Sequence, residues 1–113
     1  PMPCLAALCL SAFLVVDGDT VKLPAPGKDL YFRIWGIDAP EMDTPQGPPA
    51  ARVMDRLTVD RALSCDLRDV DRHGRPVVRC DLPDGRDLAC ELVRAGAARD
   101  WPKYSGGDYR RCE

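Results

Sequence analysis

Residues 33–41 read Arg-Ile-Trp-Gly-Ile-Asp-Ala-Pro-Glu, which places a cation, two carboxylates and a corner-stiffening proline within one short run. Arg33 can fork onto a phosphate. Asp38 and Glu41 stand three apart where an apolar run ends, held by a strand yet open to solvent. Phosphate cleavage on a hard metal ion needs this mixture: carboxylate oxygens for the ion and an arginine for the charge that builds on phosphorus. A strand closing in an ordinary polar turn would read the same way. Two further polar corners bear on the choice. Asp19 sits in Asp-Gly-Asp-Thr at 17–20, and Arg75 closes Asp-Arg-His-Gly-Arg at 71–75. Each has a plain alternative. Asp19 could be a hairpin residue, Asp38 a turn cap and Arg75 a solvated turn residue. Arg33 and Glu41 could form a surface ion pair worth under roughly 1 kcal/mol.

The elements that must position these corners are short. Residues 11–16 read as a first strand by composition, and Asp17-Gly18 is a strong hairpin signal into a return strand from residue 21. Residues 30–37 form a third strand, with Leu30, Phe32 and Ile34 on one face and Tyr31, Arg33 and Trp35 on the other. After a Pro- and Gly-containing loop at 42–49, Val53, Met54, Leu57 and Arg61 predict a helix over 50–63. Strands follow at 64–70 and 76–82. Asp87 caps a helix over 88–95 that Gly96 ends. Residues 101–107 read as loop, and 108–113 as the opening turns of a third helix. The fold class is therefore mainly β with two to three short helices. The expected architecture is a closed five-stranded Greek-key barrel of the oligonucleotide-binding (OB) type.

A chain of 113 residues supports one domain with one core. Residues 11–113 are read as that domain, and the uncharged residues 1–10 as an apolar extension or trimmed leader, with no membrane anchor in view. The formal net charge of −2 argues mildly against holding nucleic acid by bulk electrostatics, but 13 of the 16 cations are arginine, the better phosphate ligand. Six cysteines without a Cys-x2-Cys pair, and a single histidine, argue against zinc and for disulfides in an oxidising compartment. Cys65 and Cys80 flank the 71–75 turn on neighbouring strands and are the first pairing expected. Cys90 with Cys112 and Cys4 with Cys9 are second-rank pairings, against the alternative of free buried thiols.

Four stretches in order, Val-Val-Asp-Gly-Asp-Thr at 15–20, Phe-Arg-Ile-Trp-Gly-Ile-Asp-Ala-Pro-Glu at 32–41, Asp-Arg-His-Gly-Arg at 71–75 and Asp-Leu-Ala-Cys-Glu-Leu-Val-Arg-Ala-Gly at 87–96, resemble the staphylococcal nuclease (thermonuclease) family. The resemblance covers about residues 11–110. It implies a calcium-dependent enzyme, secreted or periplasmic and monomeric, that hydrolyses phosphodiester bonds of DNA, RNA or both. By resemblance, Asp19, Asp38 and the Ala39 carbonyl would bind calcium. Glu41 would activate or position the attacking water, and Arg33 and Arg75 would grip the scissile phosphate. Arg72 and His73 stand where the family has nucleotide-phosphate contacts, usually a lysine and a tyrosine. Trp101 and Tyr104 lie near its base-stacking aromatics, with Pro102 disturbing the alignment. The loop after Glu41 is short for the family, and its third helix normally runs well past position 113. The rival expectation is a barrel of the same kind that binds nucleic acid or peptide without cutting it.

Overall fold

The structure, a computed structural model, describes residue 4 and residues 8–113. Eight strands form in chain order: β1 (Leu8–Leu10), β2 (Leu14–Asp17), β3 (Thr20–Leu23), β4 (Leu30–Ile34), β5 (Ile37–Asp38), β6 (Leu63–Val70), β7 (Pro76–Asp81) and β8 (Arg99–Asp100). Helices α1 (Gly47–Thr58), α2 (Leu88–Arg94) and α3 (Pro102–Ser105) and a single 3-10 turn (Arg110–Cys112) complete the described chain. Six strands make one sheet in the order β1-β6-β7-β4-β3-β2, and β5 pairs with β8 separately. All pairings are antiparallel except β4 with β7.

Strand order forces this sheet to curl. Laid flat, β1 and β2 would lie at opposite edges, five interstrand spacings or roughly 24 Å apart. Only residues 11–13 connect them, a link that spans at most about 14 Å between the strand ends. The edges must therefore curve toward each other, with the bend at Ala12 in the left-handed region, φ 54°. The result is an open, curled sheet with the strand order of a Greek key. The closed five-stranded barrel expected from sequence is corrected to this extent: β1 and β2 do not pair with each other.

The chain's beginning is corrected as well. Leu8–Leu10 belong to the sheet, paired Leu8↔Cys65, Cys9↔Ser64 and Leu10↔Leu63, with Leu10 in the core. The expected first strand at 11–16 forms only as β2, Leu14–Asp17, with β1 before it across the kink at 11–13, so the two serve opposite sheet edges. The leader expectation for residues 1–3 and 5–7 lies outside the described residues. Helix α1 starts and ends earlier than the periodicity indicates. Pro48 and Pro49 lie inside its first turn, where an N–H would be unsatisfied anyway. The expected loop at 101–107 holds α3, and only a 3-10 turn forms at the C-terminal end.

The core runs from Leu10, Val21, Phe32, Ile34, Leu63 and Val78 on the sheet to Met54 of α1 and Leu88 and Leu92 of α2. Asp87 caps α2 as expected, accepting from the Ala89 and Cys90 amides, and its other oxygen accepts the buried Tyr109 hydroxyl at 2.8 Å. Three disulfides are present, Cys4–Cys9, Cys65–Cys80 and Cys90–Cys112, all three of the expected pairings. Cys65 and Cys80 stand directly opposite in the β6–β7 register, and their bridge closes the hairpin that carries Arg75. Cross-linking a loop of 15 residues restricts the unfolded chain by about 3 kcal/mol. The Cys65→Ala/Cys80→Ala protein should lose stability on that scale in urea unfolding at fixed pH. An unchanged urea midpoint would show that the hairpin needs no staple.

Candidate active site

The site is built from five chain segments that meet around one cleft of about 800 Å³. Asp17 and Asp19 reach it from the β2–β3 hairpin, and Arg33 from the end of β4. Asp38 and Glu41 come from the corner after β5, and Arg72, His73 and Arg75 from the β6–β7 turn. Trp101, Lys103 and Tyr104 close the far side. Ala39 does not line this cleft, although its amide meets Asp19 beneath it.

Small residues permit the approach. A Cβ on Gly18 would sit 2.8 Å from the Ala39 Cβ and 3.0 Å from the Ala50 Cβ, so only glycine lets the hairpin press against the corner and α1. That contact brings the Asp19 carboxylate onto the Ala39 amide, which donates to Oδ2 at 2.8 Å. Gly36, with φ +82°, ends β4 early and turns the chain so that Ile37 and Asp38 start a separate strand. The third strand expected over 30–37 is therefore broken in two, and the break aims Asp38 at the cleft.

Asp19 is buried, with Thr20 Oγ1 donating to its Oδ1 at 3.0 Å. The Arg33 Nη1 lies 2.5 Å from Oδ2, and the Arg33 Nη2 lies 3.3 Å from the Ile37 carbonyl and 3.7 Å from Asp38 Oδ1. One guanidinium thus touches both carboxylates. The Nη1 contact is a close ion pair but is not aligned as a hydrogen bond, so that donor stays unsatisfied. Burial pushes the Asp19 carboxyl up to about 7, assisted by its hydrogen bond and charge repulsion with Asp17 and opposed by Arg33 and the Ala39 amide.

The turn at 71–75 is organised by Asp71. Its Oδ1 accepts the His73 and Arg75 amides, each at 2.9 Å, and its Oδ2 takes the Arg75 Nε at 2.6 Å. Partial burial raises this carboxyl, but the bonds from Arg75 and His73 outweigh it and hold the group below its usual range. Both Nη groups of Arg75 remain for a ligand. Glu41 is exposed and makes no side-chain bond to another described residue, while its carbonyl is fixed by Thr44 N at 3.0 Å and Thr44 Oγ1 at 2.7 Å. Arg72 and His73 are exposed on the turn. Trp101 and Tyr104 meet edge to face at 4.6 Å, and Pro102 opens α3 between them without displacing either from the cleft.

Asp17, Asp71 and Lys103 contribute to the cleft without being singled out by their local sequence. Asp17 reads as a turn residue, yet it accepts the Asp19 amide at 3.0 Å and raises that carboxyl. Its signal was the second carboxylate two positions from Asp19. Asp71 carried no signal beyond a turn-forming aspartate. Asp17, Asp19, Asp38 and Glu41 bring carboxylate oxygens to the cleft, the donor type that a hard ion takes. Among the described residues, no three His, Cys, Asp or Glu side chains converge as a metal-binding group, and Arg33 contacts both Asp19 and Asp38.

A family model described as staphylococcal nuclease homologue matches residues 31–111. An uncharacterized endonuclease of Escherichia coli O157:H7 is 32% identical over 91 residues, covering 80% of this chain and 60% of that protein. A thermonuclease of Staphylococcus hyicus is 33% identical over 94 residues, 75% of this chain and 54% of its own length. A succinoglycan biosynthesis protein of Rhizobium meliloti (strain 1021) is 30% identical over 106 residues, 84% and 53% of the two chains. The chain spans a little over half the length of these curated relatives. No helix among the described residues is long and apolar enough to cross a membrane.

The Asp19 shift has a signed consequence for stability. Between its ordinary value of 3.8 and about 7 the folded state binds a proton that the unfolded state has released, so stability falls as pH rises through that window. In chelator, the urea midpoint should drop from pH 4 to pH 7, and Asp19→Asn should flatten that drop. An unaltered pH slope in the Asn variant would show that Asp19 ionises normally in the fold.

Proposed function

The chain belongs to the staphylococcal nuclease homologue family, and from that premise we propose that it is a calcium-dependent nuclease hydrolysing phosphodiester bonds of DNA, RNA or both. The observation that supports this most is the meeting of Asp19, Arg33, Asp38, Glu41 and Arg75, from separate segments, around one cleft. Asp19, Asp38 and the Ala39 carbonyl would hold the calcium, which would supply positive charge to polarise a phosphoryl oxygen. Arg33 and the free Nη groups of Arg75 grip the other phosphate oxygens, where charge accumulates during in-line displacement. Glu41, unencumbered and fixed through its backbone, accepts a proton from the attacking water. Arg72, His73, Trp101 and Tyr104 contact the neighbouring nucleotide: cations on phosphate, rings on a base.

Three disulfides fit an oxidising, extracytoplasmic environment, and we place the protein in the periplasm or outside the cell, acting as a monomer. The alternative is a cleft that holds nucleic acid or peptide without cutting it. It is favoured by two ties: Asp19 is already engaged by Arg33, and Arg75 by Asp71.

Incubation with single-stranded DNA or RNA separates the two. Cleavage should appear with calcium and vanish with chelator, and Glu41→Gln should lower kcat by about 10²–10⁴-fold. Full activity in Glu41→Gln removes the mechanism, and retention of uncut oligonucleotide in calcium establishes the binding module. Calcium should also raise the Tm of the native protein, and Asp38→Ala should lose most of that rise. An undiminished calcium shift in Asp38→Ala would place the ion elsewhere.

A further inference from the structure

We propose that Trp101 is a positioning residue for Arg33: its ring keeps the guanidinium aimed into the cleft when the carboxylates beside it are engaged elsewhere. The inference rests on the phosphodiesterase reading of the same cleft. Arg33 is anchored at its edge, by Asp19 Oδ2, Asp38 Oδ1 and the Ile37 carbonyl, and only 15% of its side chain is exposed. The Arg33 Cζ lies over the Trp101 ring, 5.6 Å from its centroid, inside cation–π range.

Two of the three edge contacts are to the carboxylates that would bind the cation. Once those oxygens turn to an ion, Arg33 keeps only the Ile37 carbonyl and the indole. An arginine on one hydrogen bond would sample many rotamers, whereas one also held over an indole ring would sample fewer. The backbone that carries the ring is pinned. The Trp101 amide donates to the Gly36 carbonyl at 2.9 Å, and its own carbonyl accepts Tyr104 N at 2.9 Å and Ser105 N at 3.0 Å. Ser105 Oγ in turn donates to the buried Asp100 at 2.5 Å, tying α3 to β8. Trp101 therefore rides on backbone pinned to the same corner that carries Asp38.

The test separates this role from base stacking. Trp101→Leu and Trp101→Phe are assayed in saturating calcium on a single-stranded DNA oligomer and on the same oligomer made abasic around the cut. Trp101→Leu should lose kcat by about tenfold or more on both substrates, with KM moving by less than about twofold and most activity kept in Trp101→Phe. In NMR spectra of the native protein, the Arg33 Hε should be shifted upfield by the indole ring current. In Trp101→Leu it should move toward the position of a free arginine. A penalty confined to the base-bearing oligomer, a loss carried by KM, or an unmoved Arg33 Hε would each overturn the assignment. If the native protein cuts neither oligomer, the nuclease reading fails, and the Arg33 resonance still decides whether the indole holds the guanidinium.

Discussion

Asp19 is a carboxylate placed where water hardly reaches it, and the cleft is arranged around the need to balance its charge. A buried charge without a partner costs several kcal/mol, so the surrounding elements supply positive ends: the Arg33 guanidinium, the Ala39 amide and the Thr20 hydroxyl. Each comes from a different point on the chain. The ion pair therefore joins the β2–β3 turn to β4, and the amide joins that turn to the corner after β5. Burial still outweighs these contacts and, with Asp17 close by, leaves the Asp19 carboxyl pushed up.

Such close convergence needs room that most side chains would take. Gly18 lets the hairpin touch Ala39 and Ala50, and Gly36 lets the chain double back under Tyr109, whose ring would lie 2.8 Å from an added Cβ. Gly47 does the same for the loop after Glu41, since a Cβ there would overlap the Glu41 carbonyl. These three glycines sit beneath the three acidic corners, and each replaces a side chain with a backbone contact. The positioning of the functional groups is thus a packing property of the scaffold beneath them.

The remaining walls of the cleft depend on long-range ties. The Cys65–Cys80 bridge fixes the hairpin that presents Arg75, and Asp71 then orients that arginine within the turn. On the opposite wall, Cys90–Cys112 and the Tyr109–Asp87 hydrogen bond hold the C-terminal segment against α2. Trp101 and Tyr104 sit on that segment, so the aromatic wall is anchored far from the cleft itself. In a domain with a modest core, such ties keep two mobile-prone segments facing each other across a polar gap.

Much of this was readable from local chemistry. The hairpin at Asp17-Gly18, the capped helix after Asp87, the alternation of Phe32 and Ile34 against Arg33, and the partner of Cys65 all follow from interactions within a few residues or between sequential strands. The types and order of the charged residues likewise state what chemistry the chain can carry. What local chemistry could not reach is set by contacts between distant segments. Leu8–Leu10 became a sheet strand because β6 offered a free edge, and β4 stopped at Ile34 because Tyr109 packs over Gly36. Asp17 became part of the site only because burial of its neighbour made a nearby negative charge matter. Desolvation and close approach are properties of the folded surface. They turn a list of polar corners into a cleft with one under-neutralised carboxylate and an arginine held beside it.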